Sequence, residues 1–224
     1  TPISTHCAGR TDTGVHGVAQ VVHFDDPVGR SQKAWVMGCN SNLPSTVRVL
    51  WAKSVPSDFH ARFSAVSRHY RYVISNSAIQ SPHHAGLVSH CRKPLDAQAM
   101  HDASQALLGE HDFSAFRAAQ CQATHPIREI LGVRVKRVEN FVILDIEANA
   151  FLYHMVRNLV GSLQMVGLGL RPREWIAELL SGKDRTLGGD TAGPSGLYLQ
   201  SITYPERFGL PVHQALNSLL LGGG

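Results

Sequence analysis

Apolar and polar positions alternate along residues 18–24, with Val18, Gln20, Val22 and Phe24 on one side and Val21 and His23 on the other. A period of two predicts a strand with one buried face. The same alternation returns over 47–55, 68–75 and 197–204, and residues 1–7 read as part of a further strand. Segments 129–137 and 141–147 flank Val138-Glu139-Asn140 and predict a hairpin. Four stretches switch to helical spacing. Residues 31–40 begin at Ser31, a suitable N-cap, and run out at Asn-Leu-Pro. Residues 96–108 stop at Gly109, and 172–180 open with a proline that suits a first helical turn. The longest, 151–168, carries Phe151, Met155, Leu159 and Leu163 along one apolar stripe.

Strands mixed with helices in this order predict an α+β protein with an antiparallel sheet. The Ser-, Pro-, His- and Gly-bearing stretch 77–94 is a natural connection, which divides the chain into halves at 1–80 and 81–224. Repeats and low-complexity tracts are absent apart from an apolar and glycine tail at 219–224.

Composition narrows the class without deciding it. With 43% hydrophobic residues in a chain of 224, there is material for a substantial core. No apolar run approaches the roughly 20 residues that span a bilayer, so no membrane partner is expected. The start, Thr-Pro-Ile, lacks the apolar stretch of a signal peptide. Cys7, Cys39, Cys91 and Cys121 are far apart and form no CxxC pair, which predicts reduced, mostly buried thiols and a cytoplasmic location. The net charge of +4 is compatible with a nucleic-acid partner.

Candidate chemistry begins at AGRTDTGVHGVAQVVHF, residues 8–24. Gly9 and Gly14 have half the spacing of a phosphate-binding loop, but Val15 and His16 stand where its Lys and Ser/Thr belong. The histidines are scattered and form no HExxH, so neither a metal nor a metal-dependent hydrolase is expected. Gly161-Ser162-Leu163 is no nucleophile elbow. What remains is Asp12, a lone acid among Arg10, Thr11, Thr13 and three glycines. A turn acid bonded to its own backbone would look the same.

Two other segments favour a functional acid. Residues 57–75 interleave Arg62, Arg68 and Arg71 with Phe59, Phe63, Tyr70 and Tyr72, a pattern that suits gripping phosphate and stacking a base. In NAFLYHMVRNLVGSLQMVG, residues 149–167, His154, Arg157 and Gly161 share one helix face among apolar positions. A desolvated guanidinium needs a partner, and Asp12 is the natural candidate. The alternative is an arginine that snorkels to solvent.

Taken together, AGRTDTGVHGVAQVVHF, DFHARFSAVSRHYRY, FRAAQCQ and ANAFLYHMVRNLVGSL, with WIAELL, KDRT and SGLYL beyond them, resemble the TruA family of tRNA pseudouridine synthases. The likeness spans almost the whole chain. It implies the pseudouridine synthase fold, with two ferredoxin- or RRM-like α/β halves whose antiparallel sheets meet at a central basic cleft. It implies isomerisation of uridine to pseudouridine at positions 38 to 40 of the tRNA anticodon stem-loop, by a homodimer that uses no metal or organic cofactor. Family members carry a further segment ahead of the GRTD loop, and this sequence opens a few residues before that loop. The resemblance makes Asp12 the catalytic carboxylate, Arg157 its cationic partner and Tyr70 the aromatic against the uracil. Arg10 would hold the target nucleotide out of the stem, Leu197 would line the pocket, and Thr11, Thr13, His16, Arg62 and Arg68 would complete the RNA-facing set. Tyr70 is also a candidate to accept the C5 proton, though an ordinary phenol is a poor base. The rival reading is a catalytically inactive tRNA-binding protein.

Overall fold

The computed structural model describes residues 3–211; the tail at 219–224 lies outside them. In chain order the regular elements are β1 (His6–Cys7), β2 (His16–Gly17), β3 (Val22–His23), α1 (Gln32–Asn42), β4 (Ser67–Ser75), β5 (Ser89–His90), α2 (Ala97–Ser104), β6 (Gly109–Asp112), β7 (Ile127–Val138), β8 (Phe141–Ala148), α3 (Met155–Gly167), α4 (Trp175–Gly182) and β9 (Leu197–Thr203). Among the described residues no helix is long and apolar enough to cross a membrane.

The main sheet runs β2-β9-β4-β8-β7-β6, with β5 added in parallel to the end of β4. Its long pairings are antiparallel, and β2 joins β9 in parallel. The architecture is a mixed α+β fold, as the element order implies. Alternation in β4 and β8 turns Tyr70, Tyr72, Ile74, Leu144 and Ile146 toward α2 and α3, where they meet Met100, Leu159 and Leu163 in the core. Fully burying each such side chain contributes about 1.5–3 kcal/mol. On the other face, Arg71 Nε and Nη2 bond both oxygens of Asp145 at 2.7 and 3.1 Å across the β4–β8 pair. The β4–β9 register slips between His69 and Tyr70, where Gln200 of β9 has no opposite number. Such a bulge bends the strand that carries the extra residue, here β9, while β4 keeps its alternation and Tyr70 its face.

Several expected elements shrink, and in two of them a side-chain amide stands in for the strand ladder. The strand predicted over 18–24 is regular only at Val22–His23. The Gln20 amide takes both backbone groups of Gly9 (Gly9 N to Oε1 3.4 Å, Nε2 to Gly9 O 2.7 Å), doing with a side chain what a ladder would do. No strand forms over 47–55, where Asn40 holds Val49 in the same two-bond manner at 2.8 Å each. Helix α1 does carry Ser31 as N-cap, its hydroxyl accepting from Ala34 N. The long helix starts at Met155 rather than 151, because His154 sits in the left-handed region at φ 59° and ψ 6° and turns the chain before it. The helix expected from Pro172 starts at Trp175. All four cysteines are free thiols, half-buried rather than buried.

Candidate active site

Asp12 and Arg157 stand 145 residues apart in sequence and meet in the fold, Nη1 donating to Oδ2 at 2.9 Å. Both side chains are largely enclosed, at 27% and 14% exposure. Arg157 lies in the first turn of α3 and is fixed from behind: Nε donates to Ala192 O at 2.7 Å, and Ala192 N returns a bond to Arg157 O at 3.1 Å. The loop supplying Ala192 is docked on the helix by small and polar residues. Asn158, Thr191 and Arg185 share hydrogen bonds, and Ser162 Oγ accepts from Gly189 N at 3.1 Å. Gly161 lets that loop touch the helix, since a Cβ there would fall 1.7 Å from Asp190 O.

The loop carrying Asp12 is shaped by its own turn, Val15 N donating to Asp12 O at 3.0 Å, and by Gly14 at φ +83°. A Cβ on Gly14 would press on Pro194 at 3.1 Å, so glycine is required there on two counts. Its start is pinned by Ala8 N to Val21 O and by the Gln20 amide. Thr11 and Thr13 are exposed, and neither hydroxyl has a hydrogen-bond partner among the described residues. The brace at the loop's start is the Gln20 amide on Gly9.

A third side chain reaches the carboxylate. His154 Nε2 lies 3.1 Å from Asp12 Oδ2. Burial holds the imidazole below its ordinary pKa, with Arg157 pushing the same way against the opposing pull of Asp12. Arg157 and His154 both address Oδ2, and Oδ1 has no partner among the described residues. The carboxylate is thus gripped at one oxygen and free at the other, which suits attack on carbon or removal of a proton.

Tyr70 forms a wall of this site. Its ring is 9% exposed and packs edge-on against Phe151, with centroids 5.1 Å apart. A Cβ on Gly9 would lie 3.7 Å from the Tyr70 hydroxyl, which places that hydroxyl at the base of the Asp12 loop. Burial pushes the phenol up to about 12, with Arg68 opposing the shift. A phenol held there keeps its proton at neutral pH, so the geometry favours Tyr70 as wall and hydrogen-bond donor over Tyr70 as base. Leu197 pairs with Tyr72 across β4–β9 and is 6% exposed, one layer into the core.

The remaining RNA-facing candidates separate into two groups. Arg10 is exposed at the rim, its Nη1 3.4 Å from Gln122 Oε1 in the FRAAQCQ stretch. Arg62 is exposed beside the ring of Phe63, which is itself 76% exposed. Arg68 and His16 are committed inward. The Arg68 guanidinium donates to the carbonyls of Arg62, Ala65, Ala8 and Asn149, tying β4 to the Asp12 loop and the approach to α3. His16 Nε2 faces Gly86 O at 3.0 Å and Ser195 O at 3.2 Å, and its ring stacks on Tyr198. Both are fasteners of the site, with no donor left to offer a phosphate at those atoms.

Gln20, Asn158 and Arg185 escaped the reading of the sequence. Asn158, Gly161 and Ser162, small and polar in an otherwise apolar helix, were the available signal for the docked loop. Among the described residues no group of three or more His, Cys, Asp or Glu side chains is placed to hold a metal ion.

Residues 103–205 match a family model described as tRNA pseudouridine synthase. Over 210 residues the chain is 55% identical to tRNA pseudouridine synthase A of Idiomarina loihiensis, covering 94% of this chain and 80% of that protein. The same enzyme from Enterobacter sp. strain 638 is 54% identical and that from Escherichia fergusonii 53%, each over 94% of this chain and 78% of the relative.

Proposed function

Because the chain belongs to the tRNA pseudouridine synthase A family, an isomerase family whose fold its mixed α+β sheet matches, we propose that it converts uridine to pseudouridine at positions 38 to 40 of the tRNA anticodon stem-loop, acting in the cytoplasm as a homodimer. The observation that carries the catalytic reading is the Asp12–Arg157 contact at 2.9 Å, which joins the two most distinctive motifs of the sequence into one site.

The reaction breaks the N1–C1′ bond, turns the uracil and rejoins it to C1′ through C5; C5 then loses a proton, and N1 finishes with one. It is an isomerisation, with no net oxidation or hydrolysis. Asp12 Oδ1 is the free oxygen, so it either attacks C1′ or takes the sugar proton that yields a glycal. Arg157 supports the charged carboxylate that either route needs. Tyr70 flanks the uracil, its hydroxyl a donor to the turning base. Arg10, exposed at the rim, occupies the gap left by the extruded nucleotide. Extrusion costs a few kcal/mol, and phosphate contacts by exposed cations such as Arg10 and Arg62 offset it, so binding weakens steeply as salt rises.

Substitution of Asp12 by Asn tests the reading. Release of tritium from C5-labelled uridine in tRNA should fall to background, while tRNA binding stays close to that of the unsubstituted chain. Turnover by Asp12→Asn would overturn it. Salt-sensitive tRNA binding with no tritium release from the unsubstituted chain would instead favour the inactive binding protein.

A further inference from the structure

His154 occupies a backbone conformation that its residue type does not favour. At φ 59° it is one of three non-glycine residues with positive φ among those described, and it immediately precedes α3. A residue there usually sits in extended geometry and caps the helix with its side chain. His154 does neither, making no side-chain cap. Its backbone carbonyl accepts from Asn158 N at 2.9 Å, a bond any residue would make. Its ring rests on Tyr153 at 3.9 Å and stays 23% exposed, so core packing does not demand an imidazole either. The polar contact that needs this side chain is the approach of Nε2 to Asp12 Oδ2 at 3.1 Å. Strained residues that gain nothing for the fold cluster at functional sites.

We propose that His154 is a positioning residue for Asp12: together with Arg157 it holds Oδ2, so that Oδ1 is the oxygen presented to the sugar. This rests on Asp12 as the reacting carboxylate, the reading given above. The division of labour is chemical. Arg157 brings the permanent positive charge, while the imidazole sets Nε2 against Oδ2 at 3.1 Å without a second permanent charge to blunt the carboxylate. The left-handed turn at 154 sets the ring beside the Asp12 loop while α3 continues away from it.

Three variants of the full chain separate positioning from structure. His154→Gly suits the backbone and removes the ring. It should melt at or above the wild-type temperature, yet lose about 10- to 100-fold in kcat with KM for tRNA changed by less than about twofold. His154→Gln restores an amide N–H within reach of Oδ2 and should recover most of the rate despite its strained backbone. His154→Asn suits the backbone but falls short of Oδ2, and should resemble His154→Gly. A glycine variant with wild-type kcat overturns the proposal. So does a glycine variant that loses melting temperature and rate together while His154→Gln fails to rescue. Absence of tritium release from the wild-type chain removes the reading of Asp12 and this role with it, whereas activity in all three variants removes this role alone.

Discussion

Gly161→Ala is the smallest change that should disable the site without touching a reacting group. An alanine Cβ at 161 would fall 1.7 Å from Asp190 O and 3.0 Å from Asp190 C, and a Cβ on the facing Gly189 would in turn lie 2.7 Å from the Gly161 carbonyl oxygen. A carbon–oxygen contact settles at about 3.3 Å, so the 188–192 loop must retreat by roughly 1.5 Å. That loop carries Ala192, whose carbonyl takes the Arg157 Nε at 2.7 Å. After the retreat the separation is about 4 Å, outside hydrogen-bonding range. Overpacking costs about 1–3 kcal/mol, and a lost charged hydrogen bond adds about 1.5–3 kcal/mol. The sum is a large share of the ~5–15 kcal/mol that holds a typical domain. An Arg157 freed by about 1 Å also costs on the order of 100-fold in rate. Thermal melting and tritium release at saturating tRNA measure the two effects. Gly38→Ala in α1, where a Cβ would meet nothing within 4 Å, is the control and should be neutral or slightly stabilising. If Gly161→Ala melts with the wild type and turns over within about threefold of it, the loop does not fix Arg157 and the reasoning fails.

Arg68→Met removes a guanidinium that serves four carbonyls; it should lower the urea midpoint by the equivalent of about 3–5 kcal/mol with the m-value unchanged, and a midpoint near wild type would return Arg68 to the RNA-facing set. Phe63→Ala should weaken tRNA binding by about 1–3 kcal/mol with the salt slope unaltered, whereas Arg62→Gln should reduce that slope by about one; equal slopes for Arg62→Gln and wild type would remove Arg62 from phosphate contact. His23 is held below its ordinary pKa by burial and by its neighbours His60 and His6, and His154 is lowered as well. Groups depressed in this way stabilise the fold above the unfolded value of about 6.5 and lose that contribution as pH falls through the folded values. The melting temperature should therefore decline below pH ~6.5, and a rise on acidification would contradict the assignment.

The contact between Asp12 and Arg157 was legible because a guanidinium on an apolar helix face poses a demand that few residue types meet. Register in β4 and β8 was legible for a similar reason: a slip of one residue would turn Tyr72 and Leu144 out of the core. What could not be read was how side chains stand in for backbone. Gln20 and Asn40 each satisfy both polar groups of one residue, so 18–24 and 47–55 keep strand-like alternation while largely giving up the ladder. The same blindness affects the cations. Arg62 and Arg68 are alike in sequence, six residues apart among aromatics, yet one is exposed and the other is consumed by carbonyls. Strand parity separates them in retrospect: Arg68 shares a face with Tyr70 and Tyr72, which are buried toward the helices. An arginine on that face must find acceptors inside the protein, and the carbonyls it finds belong to the Asp12 loop, the 62–65 turn and the approach to α3. Its loss to RNA binding is thus a gain for the site, because one guanidinium ties together the three segments that carry or border Asp12, Phe63 and His154.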